Sequence, residues 1–455
     1  MIDRLLNFFK RDSFKKYIGQ SSWLYSGMAV AAVARLVNLA LLTRFLSLGE
    51  YGQLALIISY GTTVNALIDF RVWETIIKFF NEHFNAKRMD KAIAVLRMCF
   101  AIDLGTGVIS AIVMMLTARL AARLLLHDES LALDVVLYGL MMLFITTETT
   151  VSGLLRVYER FDLLGIKDIV VSILRLITTS AAAYYFRSLH MVVIGYVVAG
   201  LVGAIIFNFV AYVITRRKVG AISDYTPLTK DERKQVFRFI MGTNVLGILK
   251  SASEQLDMLL VGFFGGPDVT AIYKVAVSTV NLHGMLTEPI SKIAYPEIVR
   301  SRQKGRRALR GTIFALILIS GLITVPSAVG IAIFAEPIVK LVSGSDVYLT
   351  AATYIRIMLL GTVANGLFFW TGYLMMANER VWVINNIHLA RTVILIPLMA
   401  LLIPVTGALG ASWTHTLLLA IPPLAALVFV LKEGYVPIRI PANEPIQQGV
   451  ANVSD

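Results

Sequence analysis

The sequence predicts an all-α integral membrane protein: about twelve transmembrane helices in two six-helix bundles related by a pseudo-twofold axis. Three observations predict it. The 455 residues are 57% hydrophobic and only 16% charged, with a mean hydropathy of +0.73, whereas a soluble domain is roughly half apolar and a quarter charged. The apolar residues come in blocks of about 20, and in lipid such a block satisfies its backbone groups only as a helix. A shift of about 218 residues lays each of the first six blocks on one of the last six. The alternating strands of about ten residues that a β-barrel needs are not found.

The first block, 21–46, follows a stretch with Arg4, Lys10, Arg11, Lys15 and Lys16 but no apolar core, so no cleavable signal peptide is expected. The second, 51–70, runs into Arg71, Lys78, Lys87, Arg88 and Lys91, and the third is 92–118. Arg119 and Arg123 precede the fourth, 131–155; Arg156, Arg160 and Lys167 mark the turn into the fifth, 163–186. Only Arg187 stands before the sixth, 190–214. A basic linker from Arg216 to Arg238 leads to the seventh, 237–263, and the eighth, 269–295. The run Arg300, Arg302, Lys304, Arg306, Arg307, Arg310 precedes the ninth, 311–335, and Lys340 the tenth, 349–376. Arg380 opens the eleventh, 381–404; the twelfth, 407–431, ends at Lys432. With the N-terminus inside, cations favour the inner loops by about five to one, which the positive-inside rule requires, and both termini are cytoplasmic.

The expected division is therefore a first lobe at 1–218, a cytoplasmic linker at 219–234, a second lobe at 235–434 and a polar cytoplasmic tail at 435–455. Two corners carry the repeat. LLTRFLSLGE at 41–50 falls on LLVGFFGGPD at 259–268, and GLLRVYER at 153–160 recurs as GYLMMANER at 372–380. Two such bundles imply a cleft between them and transport by alternating access.

The formal charge of +13 is accounted for by Lys and Arg at helix ends, so no nucleic acid partner is expected. The single cysteine, Cys99, forms no intrachain disulfide, and no Cys/His metal spacing or cofactor motif is present. GxxxxGK[ST], GxSxG and HExxH are all absent, so neither ATP hydrolysis nor chemistry on the substrate is expected.

Ionisable side chains at bilayer depth cost roughly 2.5–3.5 kcal/mol or more each and are functional candidates by default. Lys250, Glu254 and Asp257 lie at i, i+4, i+7 on one face of the seventh helix. Lys274, Ser278, Asn281, Met285, Glu288 and Lys292 stripe the eighth; Thr62, Asn65 and Asp69 stripe the second, its repeat partner. Asn385, His388 and Arg391 line one side of the eleventh, and Arg35, Arg175 and Arg356 lie in the first, fifth and tenth. Each has a structural alternative. Lys250–Glu254 is equally a local ion pair; Asp103 and Glu148 are hydrogen-bond acceptors as readily as proton sites; His283, His388 and His415 fit satisfied interior histidines. The deep cations are at least as numerous as the deep acids, which suits an anionic substrate such as a phosphate or pyrophosphate.

The segment ARLVNLALLTRFLSLGEYGQLALI at 34–57 resembles the first-loop signature of Wzx-type oligosaccharide flippases, the polysaccharide transporters of the superfamily that includes MATE multidrug exporters and lipid II flippases. LDMLLVGFFGGPDVTAIYKVAVS at 256–278, AYPEIVRS at 294–301 and GALGASWTHTLLLAIPPL at 407–424 agree, and the resemblance covers nearly the whole chain. It implies a MATE-like, V-shaped fold whose central cavity is lined mainly by the first, second, seventh and eighth helices. The implied task is moving an undecaprenyl-pyrophosphate-linked oligosaccharide to the outer leaflet of the bacterial cytoplasmic membrane for O-antigen, capsule or exopolysaccharide assembly. Polysaccharide polymerase and export machinery are the implied partners, and a monomer is expected.

On this reading Arg35, Lys250 and Lys274, with Arg356 and Arg391, are the candidates to meet pyrophosphate or acidic sugar. Asp69, Glu254, Asp257 and Glu288 are candidates for gating or a coupling ion. The alternative is an ion-coupled multidrug or metabolite antiporter of the same fold, which calls for an acidic cavity. A membrane-embedded glycosyltransferase or polymerase would need longer outer loops than those near Arg119–Ser130 and Glu336–Tyr348.

Overall fold

The computed structural model describes residues 12–70, 72–220, 225–286 and 288–432, and within them the side chains from Ser26 onward except at 243–254, 288–289 and 292–293. Every regular element described is helical. The first lobe comprises α1 (Asp12–Phe45), α2 (Leu48–Ile68), α3 (Met89–Leu124), α4 (Ala132–Ile145) continued by α5 (Glu148–Val157), α6 (Phe161–Phe186) and α7 (Leu189–Val219). Then come α8 (Lys230–Met285), α9 (Glu288–Gln303), α10 (Arg306–Ile333), α11 (Ala335–Ser343), α12 (Ala351–Phe368), α13 (Trp370–Ala377), α14 (Val381–Thr406) and α15 (Ala408–Lys432). The 56-residue α8 is two helices joined at Gly266, whose φ of 77° breaks it; Pro267 then occupies the first position of the second half, where its missing N–H costs nothing.

Helix occupies each of the twelve expected spans, and ten described helices are long and apolar enough to cross a membrane. The expected second span is the informative exception. It forms α2, but α2 falls outside those ten because it carries Glu50, Gln53, Thr62, Thr63 and Asn65. It needs no apolar coat, since α8, α3 and α4 surround it and ten of its residues are buried. The expected seventh span lies in the first half of α8.

The backbone repeats more faithfully than the sequence. Left-handed residues, uncommon outside glycine, fall in pairs at equivalent corners: Lys87 with Gly305, His127 with Gly344, Glu159 with Glu379, and Arg187 with Gly407. The pairs are separated by 218, 217, 220 and 220 residues. Around Glu159 and Glu379 the hydrogen bonds match as well: Arg160 N–H donates to Leu155 O, and Arg380 N–H to Met375 O. The 3₁₀ turns Glu129–Leu131 and Asp346–Tyr348 form another such pair.

The buried core has the shape of a V. One cluster spans both lobes at one end, joining Leu42, Tyr51 and Leu56 to Val261, Tyr273, Val339 and Tyr354. At the other end, where Arg156, Arg160, Arg300 and Arg380 lie, the core divides. One part holds Ile76, Phe80, Ile93 and Leu155, the other Ile298, Leu309, Trp370 and Leu374. The start of α8 sides with the first lobe, since Val236 and Ile240 pack in its core.

The closed end is where the repeated corners meet. Ser47 caps α2 in a reciprocal box with Glu50, and the same corner abuts Gly266–Asp268. A Cβ on Gly52 would lie 1.8 Å from the Pro267 carbonyl oxygen, and one on Gly262 would lie 2.1 Å from Leu56. Arg44 Nη2 adds a hydrogen bond of 2.8 Å across the lobes to Leu341 O.

Candidate functional site: a cationic cavity between the lobes

α1 packs along α6 through Ala31, Ala34, Asn38 and Leu42, all buried. Gly27 and Gly165 allow close approach, a Cβ at Gly27 falling 2.6 Å from Gly165 Cα, and Asn38 Oδ1 accepts from the Thr179 hydroxyl at 2.7 Å. This fixes the roll of α1 and turns Ala32, Arg35, Leu36 and Leu39 towards the second lobe. In the second half of α8, Ala271, Tyr273, Val275, Ala276 and Val280 are buried. The opposite stripe, Lys274, Ser278, Asn281 and Met285, faces α1.

Between these stripes lies a cavity of about 590 Å³, completed by Ser291 of α9, Asn365 and Gly366 of α12, and Phe369. Arg35 and Lys274 are the two charged residues that line it. Neither makes a hydrogen bond or an ion pair with another described residue. No described acid lines the cavity.

α2 contributes no lining residue, contrary to the expectation for the second helix. Its face towards α8 is a dry contact at Tyr51, Gly52 and Leu56, and α12 takes its place in the wall.

The remaining candidates lie elsewhere. Arg356 is drawn to the α10–α11 corner, where Nη2 bonds Glu336 at 3.1 Å and Nε donates to Ala332 O. Arg391 is buried between α14 and α15, with Nη1 3.3 Å from Leu418 O. Asp69 is buried at the C-cap of α2, outside the cavity wall. The side chains of Lys250, Glu254 and Glu288 lie outside the described residues.

Asp257 sits in a buried junction. Its Oδ2 accepts from the Tyr273 hydroxyl at 2.7 Å and from His415 Nδ1 at 2.9 Å, while Oδ1 accepts the Met258 N–H at 2.7 Å. Both halves of α8 and α15 meet there.

Two further acids are structural. Asp103 of α3, fully buried, accepts from the Thr149 hydroxyl and from the Thr150 N–H at 3.1 Å. It thereby caps α5 from a neighbouring helix. Glu148 pairs with Lys167 of α6 at 2.7 Å. Among the histidines, buried His283 bonds Ser327 Oγ through Nε2 at 2.9 Å. No group of three or more His, Cys, Asp or Glu is placed to hold a metal among the described residues. Sequence reasoning missed Ser291 and Asn365, which are uncharged, and Tyr273, which an apolar run conceals.

Beyond the membrane, Lys91 Nζ bonds Glu232 at 2.9 Å and the Pro227 carbonyl at 3.2 Å, fastening the start of α8 to α3. Lys91 and the Thr229 amide hold the Glu232 carboxyl down to about 2.

The comparisons with known proteins match this architecture. A family model described as "Polysaccharide biosynthesis protein" matches residues 41–352. The inner membrane protein YghQ of Escherichia coli is 25% identical over 346 residues, 74% of this chain and 95% of that protein. The lipopolysaccharide biosynthesis protein WzxC of Escherichia coli is 19% identical over 423 residues, 92% of this chain and 81% of that protein. An inward-facing MATE-family multidrug resistance transporter superposes with a TM-score of 0.68 at 14% identity, covering 89% of this chain and 94% of its own. The lipid II flippase MurJ in an inward closed conformation superposes with a TM-score of 0.65 at 14% identity, covering 90% and 87%. This is a multi-pass membrane protein with the MATE-like fold, and the chain belongs to the polysaccharide biosynthesis protein family.

Proposed function

We propose that the protein is a flippase. It carries an undecaprenyl-pyrophosphate-linked oligosaccharide from the inner to the outer leaflet of the bacterial cytoplasmic membrane for surface polysaccharide assembly. One observation carries the reading: Arg35 and Lys274, from opposite lobes, share one cavity and have no described counter-charge in its wall. An anion bearing several oxygens is the complement of that pair. A guanidinium grips two oxygens at once, and an ammonium supplies a compact charge beside it. A volume of about 590 Å³ lies within the roughly 300–1,000 Å³ that enclose a compact headgroup. The polyprenyl chain stays in lipid. The names of WzxC and MurJ, a lipopolysaccharide biosynthesis protein and a lipid II flippase, support the same substrate class.

The basic end is the cytoplasmic one by the positive-inside rule. The core divides at that end, so the cleft opens towards the cytoplasm, where the lipid-linked sugar is made. Closing that end and parting the α2–α8 corners would present the headgroup to the outside.

The test is flipping of undecaprenyl-pyrophosphate-linked N-acetylglucosamine in proteoliposomes, read by lectin access to the far leaflet. The protein should accelerate exposure over empty vesicles, and Arg35→Ala and Lys274→Ala should each slow it at least tenfold, the effect of losing about one charge-assisted contact. Rates equal to those of empty vesicles would refute the proposal. Uptake of a quaternary ammonium ion instead would assign the chain to the multidrug antiporters.

A further inference from the structure

The wall of the cavity continues as a run of aromatic rings. Asn365, Phe369 and Tyr373 follow one another at i, i+4, i+8 along the end of α12 and α13, and the first two line the cavity. Ser291 of α9 lines it as well, and Tyr295 stands four residues further on. Both tyrosines therefore lie one turn beyond the cavity, towards the end where the core divides. The Phe369 and Tyr373 ring centroids are 6.1 Å apart; those of Tyr373 and Tyr295 are also 6.1 Å apart, with planes inclined at 47°. Tyr295 is exposed and Tyr373 half-buried, and neither hydroxyl makes a hydrogen bond with another described residue.

Packing does not call for these rings. The repeated corner of the first lobe has Gly153 and Leu154 in the corresponding place, both buried, and a Cβ on Gly153 would lie 2.9 Å from Ile76 Cβ. Beside Tyr373, a Cβ on Gly372 would meet nothing within 4 Å. The first-lobe corner is filled, while the second-lobe corner leaves its tyrosine beside open space. Tyrosines of an interfacial belt sit at the lipid headgroups, whereas these two continue the helix faces that carry Ser291 and Phe369 into the cavity wall.

We infer that Phe369, Tyr373 and Tyr295 form a saccharide subsite, on which the pyranose ring attached to the pyrophosphate stacks. The subsite rests on the substrate reading above and adds what holds the sugar. An aromatic face is apolar and electron-rich, and the C–H face of a pyranose is apolar and slightly electropositive, so the two meet without stranding a polar group. The sugar hydroxyls stay at the rim. There Asn281 and Asn365, exposed in the cavity wall, offer amides that donate and accept and that bond no other described side chain. A pyrophosphate held by Arg35 and Lys274 leaves its sugar to extend towards the open end, where the tyrosines begin one turn away, roughly 5.4 Å. A ring face reads flatness, so the subsite selects a pyranose with one unobstructed C–H face rather than a single hydroxyl pattern.

Two measurements on the full chain in nanodiscs separate the subsite from the pyrophosphate reading. The first compares binding of undecaprenyl pyrophosphate with and without an attached N-acetylglucosamine. The ratio of the two affinities is the readout. The sugar-bearing lipid should bind about three- to tenfold tighter. Tyr295→Leu and Tyr373→Leu should each shrink that margin at least twofold, while Tyr295→Phe and Tyr373→Phe, which keep the ring, should preserve it. The second is saturation-transfer resonance with methyl N-acetyl-β-glucosaminide and no lipid. Wild type should saturate the sugar's ring C–H protons, the Leu variants should lose the transfer, and the Phe variants should retain it. A margin or a transfer that survives in both Leu variants, or the absence of both in wild type, overturns the subsite. Transfer that the Leu variants abolish, in a protein that binds neither lipid, leaves the subsite standing and refutes the pyrophosphate assignment.

Discussion

Gly52→Ala perturbs the closed end of the V directly. The added Cβ would lie 1.8 Å from the Pro267 carbonyl oxygen, 2.5 Å from its carbon and 3.0 Å from its Cα. Real Cβ atoms essentially never come closer than 3.0 Å to another heavy atom, and the obstacle is backbone, which no rotamer change removes. The α2 and α8 corners must therefore separate by about an ångström or more, or the clash is borne as strain. Overpacking of this kind costs roughly 1–3 kcal/mol. The strain falls only on the state in which the corners touch, so the closed-to-open ratio at this end should drop by about 5- to 150-fold. Spin labels at Ser130 and Val347, in exposed segments of the two lobes at this end, report the distance by pulsed electron resonance. The variant should shift the distribution to longer distances while the thermal melt shows a folded protein. An unchanged distribution in folded protein would refute the corner-to-corner gate, and Gly52→Ser should act in the same direction as Ala.

Other expectations follow from single contacts. Asp103→Ala removes the cap of α5 and should lower stability by about 1–2 kcal/mol, read by tryptophan fluorescence on heating, while Asp103→Asn keeps an acceptor for the Thr150 N–H and recovers most of it. Arg356→Ala should leave flipping within about twofold of wild type, because its guanidinium is occupied by Glu336 and Ala332 away from the cavity. Glu232 is held down to about 2 in the folded protein, so its contribution is fully present above the ordinary glutamate range. It is lost as pH falls below about 4.3 towards 2; hydrogen exchange at 228–240 should accelerate over that window, and Lys91→Ala should weaken the dependence, leaving the part that the Thr229 amide supplies. The pair is partly solvent-exposed, so the effect stays below about 1 kcal/mol.

The architecture was legible because lipid constrains the sequence severely. Apolar blocks and loop charges place helices at all twelve positions, even though one of them, α2, is polar and protected by its neighbours. The repeat was visible only at two corners, since side chains on a buried helix are free to vary while a corner's backbone is not; Glu159 and Glu379 keep the left-handed turn without any glycine to advertise it. The stripe from Lys274 to Met285 could be read because helical spacing alone decides which residues share a face. Arg356 stands away from the cavity because charge at bilayer depth names a residue that needs a partner, and its partners are the Glu336 carboxylate and the Ala332 carbonyl on adjacent helices. Spacing within one helix says nothing about what another brings against it. The Asp257–Tyr273–His415 junction joins residues up to 158 positions apart, and only the packing of α8 on α15 reveals it.

The central claim is that Arg35 and Lys274 together hold a pyrophosphate. Its most direct test is native mass spectrometry of the purified protein with undecaprenyl pyrophosphate, competed separately with undecaprenol and with tetraphenylphosphonium. Selective retention of the pyrophosphate lipid, weakened at least tenfold in Arg35→Ala and in Lys274→Ala, is the predicted result. Equal retention of undecaprenol, or displacement of the lipid by the organic cation, would contradict it.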